Sequence, residues 1–221
     1  MRLVPDDDPL DGMRVRLEQD EALLGYEPQE GFADRCWVLH TIHEGVVRLR
    51  WNAVLARAGR RLEDWEYTPS WRVFDGIGLA DDADGPSGGE IDRECLVRLV
   101  GLLARHSPDG LAAECYWAQA AIHEAGRPVT VWRGRLGEAP AFHDTACSEE
   151  GSAAAHFPAQ WWPLDRSWYV LTDWDLSATE VFGSPDLVAA LLVDDELDAV
   201  RHPGIAEVLN DEGRDARWRS R

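Results

Sequence analysis

Lysine is absent from this chain of 221 residues: all 22 basic side chains are arginine, set against 41 acids for a formal charge of −19. Such a chain repels phosphate backbones, whose binding depends on Lys and Arg neutralising phosphates, so direct binding of DNA or RNA is not expected. No apolar run approaches the roughly 18 residues that a membrane-crossing helix needs, and no membrane partner is expected. The four cysteines, Cys36, Cys95, Cys115 and Cys147, form no C-x-x-C pair. Their spacing suggests neither a zinc knuckle nor a redox dithiol, and reduced thiols are the expectation. Catalytic signatures are missing as well: no G-x-S-x-G occurs, no G-x-G-x-x-G follows a strand pattern, and a P-loop is impossible without lysine. No cofactor, metal or catalytic residue is therefore assigned.

What is present is tryptophan, with 11 indoles against 5 Phe and 4 Tyr. Part of that excess, like the missing lysine, fits a GC-rich coding sequence. The acids Asp6, Asp7 and Asp8 occupy the place where a secretion signal needs its apolar stretch, so a cytoplasmic location is expected.

Along the chain, residues 1–30 mix acids with Pro and Gly and read as a loosely ordered lead-in, with one short helix over Arg14–Leu24. The strand formers of Cys36–Ile42 and Val46–Arg50 predict a β-hairpin, followed by a short helix from Trp51 that Gly59 stops. Residues 75–89 read as a loop. Ser87-x-x-Glu90 has the form of a capping box opening a helix over 90–106, in which Ile91, Cys95, Leu96, Leu99, Leu102 and Leu103 recur at helical spacing. Glu114–Ile122 and Pro128–Arg135 predict a second hairpin, and 136–160 a long loop, either mobile or functional. Ser167–Trp174 and Thr179–Phe182 are strand-like. Ser184-Pro185 supplies the N-cap and first-turn proline of a helix burying Leu187, Val188, Leu191 and Leu192. Leu197–Arg201 reads as a last strand, and 206–221 as a disordered, Arg-rich tail. Strand pairs interrupted by single helices, without regular βαβ alternation, predict one α+β domain over 31–205, built on a mainly antiparallel sheet of about five to seven strands with three or so helices.

The densest segment runs from Trp161 to Asp175 and holds four indoles and three carboxylates. On a strand, Trp168, Val170, Thr172 and Trp174 share one face and Tyr169, Leu171 and Asp173 the other. Two apolar faces make a central strand with acids at its rims. The functional alternative is an aromatic platform of Trp161, Trp162 and Trp168, with Asp165, Asp173 and Asp175 as acceptors and Arg166 beside them, for a small polar or cationic ligand or for a partner's arginines. Paired carboxylates for acid/base work are a third possibility, which lacks a second half in the sequence.

The run WWPLDRSWYVLTDWDLSATEVFGSPDLVAALL resembles the C-terminal stretch of a family of uncharacterised proteins from high-GC actinobacteria, with the pattern W-W-P-x-D-R-x-W-x-V-x-T-E-x-D, then Gly-Ser and a helix. Leu39-His40 and Arg50-Trp51-Asn52-x-Val54 are similar to that family's earlier L-H-P and R-W-x-x-V. The resemblance spans most of 36–201 and implies a cytoplasmic globular domain without an assigned activity. Asp173 and Trp174 depart from the pattern, standing for Glu and an aliphatic residue.

Elsewhere, His40-Thr41-Ile42-His43-Glu44 lacks the H-E-x-x-H spacing of a zinc helix, and on a strand its histidines face opposite sides. His106 fits a helix C-terminus. His123-Glu124 reads as a polar pair near a turn, and Cys115 or Cys147 would be nucleophiles only beside a histidine. The leading expectation is a non-enzymatic, intracellular acidic protein that binds a basic protein partner in an immunity-type or regulatory role. The alternatives are a small-molecule binder or enzyme with a Trp/Asp-lined pocket, and a nucleic-acid mimic.

Overall fold

Aromatic and β-branched runs become strands here, and helical repeats of leucine become the layer that covers them. The computed structural model describes residues 31–57, 59, 61–62, 83–84, 89–118, 131–146, 157–172 and 176–201. Their first half contains β1 (Asp34–Leu39), β2 (Ile42–Glu44), β3 (Val47–Leu49), α1 (Trp51–Arg57), β4 (Ala83–Asp84) and α2 (Arg93–Arg105). The second half contains β5 (Glu114–Ala118), β6 (Val131–Arg135), α3 (Ala139–Ala146), β7 (Gln160–Pro163), β8 (Tyr169–Thr172), β9 (Ala178–Gly183), α4 (Pro185–Leu192) and β10 (Ala199–Val200). Seven strands form one antiparallel sheet in the order β10-β1-β9-β8-β7-β5-β6, and β3-β2-β4 form a small separate sheet. This is the α+β architecture that the pattern predicts.

Side chains alternate between the two faces of the large sheet. The first face carries a row in register, Cys36, Val181, Val170, Trp161, Trp117 and Trp132. It forms one core with Leu96, Leu99 and Leu103 of α2, Phe142 of α3 and Leu187 and Leu191 of α4. The second face carries two clusters: Trp37, Leu39 and Ala178 packed with Trp51, Val54 and Leu55 of α1, and Tyr169, Phe182, Trp162, Ala118 and Val131. Each buried indole removes about 150–250 Å² from water, worth about 4–6 kcal/mol as an upper value, which makes the tryptophans the largest single contributors to these cores.

Local signals hold where they are strongest. Ser184 caps α4, its Oγ accepting from Leu187 N at 3.2 Å, with Pro185 in the first turn. A Cβ at Gly183, just before it, would lie 2.7 Å from Leu187 Cδ2 and force that side chain to shift. The paired strands β5 and β6 match the second hairpin, with 119–130 outside the described residues. β8 is the central strand, fourth of seven, with Trp168 and Val170 in one core and Tyr169 and Leu171 in the other.

Three expectations are corrected. Of the run from Cys36 to Ile42 only Ile42 folds back on Val46–Arg50; β1 ends at Leu39, and the hairpin is the pair β2 and β3. The break occurs at His40, whose N–H bonds Ser177 O at 2.9 Å, while β1 takes β9 and β10 as partners. The N-cap of α2 is Asp92, accepting from Cys95 N at 2.9 Å and also from Thr41 N at 2.9 Å. Glu90 instead accepts from Phe157 N, which ties the approach to β7 onto the start of α2; Ser87 lies outside the described residues. The span 136–160 is no plain loop: it holds a 3-10 turn at Leu136–Glu138 and then α3, with Phe142 buried between Trp117 and Trp132. The readings of 1–30, 206–221 and most of 75–89 lie outside the described residues.

Candidate functional site

The residues of the tryptophan segment do not converge on a surface. Trp161 and Trp168 are fully buried in the first core, edge-on to each other at 5.5 Å. The Trp168 N–H donates to Ser107 Oγ at 2.8 Å, and Ser107 donates in turn to Leu103 O, so this indole fastens the end of α2 to the sheet. Trp162 points to the opposite face, stacked on Tyr169 at 5.6 Å with 15° between the planes. Its exposure is 2%. A platform of these three indoles is therefore corrected: strand alternation sends adjacent tryptophans to opposite faces, and both faces are covered.

Asp165 and Arg166 form the turn between β7 and β8. Asp165 Oδ1 accepts from Ser167 N at 3.1 Å and from Ser167 Oγ at 2.9 Å, while Arg166 takes φ 55. An aspartate closing a turn on its own backbone is a local folding device. Asp173 and Asp175 lie outside the described residues, as do His123, Glu124 and Cys147.

The Arg50-Trp51 pair also acts as a clasp. Arg50 donates to Leu197 O at 2.8 Å, to Asp195 O, and to Asp198 Oδ1 at 3.1 Å. Asp198 Oδ2 accepts from Trp51 N at 3.0 Å, and the Trp51 indole donates to His40 O at 2.7 Å. One arginine and one aspartate thus hold the start of α1 against the segment that leads into β10.

The remaining candidates are quiet. Burial, with Asp92 next, pushes the Cys95 thiol up to about 12, and burial with Asp165 and Glu114 does the same for Cys115. Cys36 is raised by burial and by Asp34 and Glu180. A thiol that stays protonated is a poor nucleophile. His40 is fully buried with Nε2 3.0 Å from Thr179 Oγ1, which sits 2.8 Å from Thr172 Oγ1. His43 stands on β2 of the small sheet, and His106 is the C-cap of α2 through its backbone N–H.

The position that sequence reasoning missed is Glu180. It lies on β9 with 6% exposure, on the second face, in register with Trp37 of β1 and Leu171 of β8. Arg35 Nη1 stands 3.6 Å from Glu180 Oε1, too far for a hydrogen bond, and Oε1 has no hydrogen-bond partner. Burial pushes this carboxyl up to about 7, against the pull of Arg35. Two residues along the same face, Tyr169 donates to Gln160 Oε1 at 2.5 Å, so Gln160 is buried with its carbonyl satisfied. The signal available in the sequence was a single acid inside Thr179–Phe182, a run otherwise suited to burial. Its weight depends on whether that face is covered.

Searches of protein-family models, curated proteins and solved structures each returned no match.

Proposed function

We propose that this chain is a non-enzymatic, cytoplasmic, acidic binding domain whose partner is a protein presenting an arginine- or lysine-rich surface, in an immunity-type or regulatory role. The observation that carries the reading is how the charges are used. Of the 41 acids and 22 arginines, 17 acids and 12 arginines fall on described residues, a balance of −5; the other −14 of the −19 falls on the rest of the sequence. Eight of those 12 arginines already face carboxylates of the same chain: Arg35, Arg48, Arg50, Arg57, Arg93, Arg98, Arg133 and Arg201. The positive charge of the described residues is thus largely neutralised within the chain, and the net charge of the whole sequence is negative. A field of one sign speeds the encounter with an oppositely charged protein and disfavours wrong partners. Kinship with the actinobacterial family, resting on residues 161–192, belongs to the same proposal.

The test is capture of proteins on the immobilised chain at about 0.05 M and about 0.5 M salt, a span over which the screening length falls several-fold. The expected outcome is retention of a basic protein at the lower salt and its release at the higher. Retention that ignores salt, or capture of acidic proteins only, overturns the reading.

A further inference from the structure

We propose that the second face of the sheet holds a bound hydroxyl oxygen between Trp37 and Glu180, accepting a hydrogen bond from the Trp37 indole N–H and donating one to Glu180 Oε1. The inference is independent of the partner reading and starts from the buried polar atoms that lack a hydrogen-bond partner. Among the described residues these are the indole nitrogens of Trp37, Trp117, Trp132 and Trp161, together with Glu180 Oε1. Unpaired buried polar groups are rare in folded proteins, and each calls for an explanation.

Three of the four indoles have edge-to-face ring neighbours. Trp117 lies at 89° to Phe142 with 5.9 Å between centroids, and Trp132 at 62° to the same ring at 5.4 Å. Trp161 meets Phe157 at 79° and Trp168 at 78°. Edge-to-face neighbours of this kind offer a ring face to an indole N–H, a weak but real acceptor. Trp37 has no ring contact among the described residues. It is 2% exposed, and its neighbour in register on the next strand is Glu180.

A donor and an acceptor that lack hydrogen-bond partners therefore leave the same face of the sheet from paired positions, with Arg35 3.6 Å from the acceptor as its charge partner. Their chemistry narrows the occupant. A carboxylate or phosphate would satisfy the indole and be repelled by Glu180; an ammonium would satisfy Glu180 and leave the indole unmet. A hydroxyl oxygen serves both, since it donates once and accepts twice. It also tolerates either state of the carboxyl: when Glu180 is protonated, the oxygen can accept from it as well as from Trp37. The hydroxyl comes from a buried water or from a small alcohol-type ligand, and the same geometry suits either.

The test is a crystal structure of the full chain grown without alcohols, repeated after soaking in ethylene glycol. The expected result is a density peak within about 2.7–3.2 Å of both Trp37 Nε1 and Glu180 Oε1. A spherical peak in both crystals assigns the oxygen to water, and elongated density after soaking assigns the site to alcohol-type ligands. No peak at that position, or a direct Trp37-to-Glu180 hydrogen bond, overturns the proposal. In solution, the indole proton of Trp37 in ¹⁵N-labelled, unmutated protein should show a cross-relaxation peak to water or to added glycol, while that of Trp117 shows none. Identical silence from both indoles sinks the idea without recourse to a variant that fails to fold.

Discussion

Trp161 and Trp162 are neighbours in the chain and belong to different environments. Trp161 enters the face covered by α2, α3 and α4, where every neighbour in its row is apolar or aromatic and its ring packs edge to face with Phe157 and Trp168. Trp162 enters the face where Tyr169, Gln160 and Glu180 are buried among aromatic side chains. The first face buries indoles that meet neighbouring rings edge to face, together with the bonded hydroxyls of Thr172 and Thr179. The second buries groups that could each bind something, and one carboxyl there is held out of its ordinary titration range. The two faces thus differ in one respect: among the described residues only the second buries a carboxyl oxygen without a hydrogen-bond partner.

That contrast can be broken by mutation, most forcefully on the first face. Trp161→Ala should cost about 3–5 kcal/mol, because it empties the centre of the aromatic row between Phe157, Trp168 and Trp117. Against a total stability of about 5–15 kcal/mol, this moves the chain close to unfolding, as chemical denaturation followed by circular dichroism would reveal. A loss below about 1 kcal/mol would mean that this row contributes little to stability.

The next largest effect has the opposite sign and belongs to the second face. Because the folded-state pKa of Glu180 is raised from 4.5 to about 7, the folded protein retains its proton where the unfolded chain has lost it. Stability from this group is complete below pH 4.5, declines between about 4.5 and 7, and stays reduced above that range. Glu180→Gln should therefore leave stability unchanged near pH 4 and raise it by up to about 3 kcal/mol at pH 8. Thermal melts of both proteins across that range check it; parallel curves would place the carboxyl in water.

The smallest effect concerns the rim between the faces. Asp165→Ala removes two turn hydrogen bonds to Ser167 in an exposed position and should cost under about 1 kcal/mol. A larger loss in a denaturation midpoint, or lost capture of a basic partner, would return Asp165 from turn chemistry to the binding role first considered for it.

Much of the fold was legible along the chain. The leucine spacing of α2, the Ser184-Pro185 start of α4 and the two-faced apolarity around Trp168 are signals between residues close in sequence, and all three hold. The hairpin expected of Cys36–Arg50 forms only over Ile42–Leu49, because β1 finds its partners in β9 and β10, well over a hundred residues away, and no local pattern announces such a pairing. α3 was missed because APAFHDTA is made mostly of small and polar residues; it is packed in place through Phe142. The candidate site was less legible still: Trp161, Trp162 and Trp168 were conspicuous and are buried, Asp165 bonds its own turn, and Glu180 was inconspicuous.

Charge, the missing lysine, the absent motifs and the Ser184 cap of α4 are properties of composition or of a few adjacent residues, so the chain alone carries them. Which indoles find a ring for their N–H, which thiols are silenced, and whether an acid on a strand meets water or an aromatic cluster all depend on what covers each face. Burial is a relation between distant segments, and for Glu180 and Trp37 it exists only once β1 and β9 lie side by side.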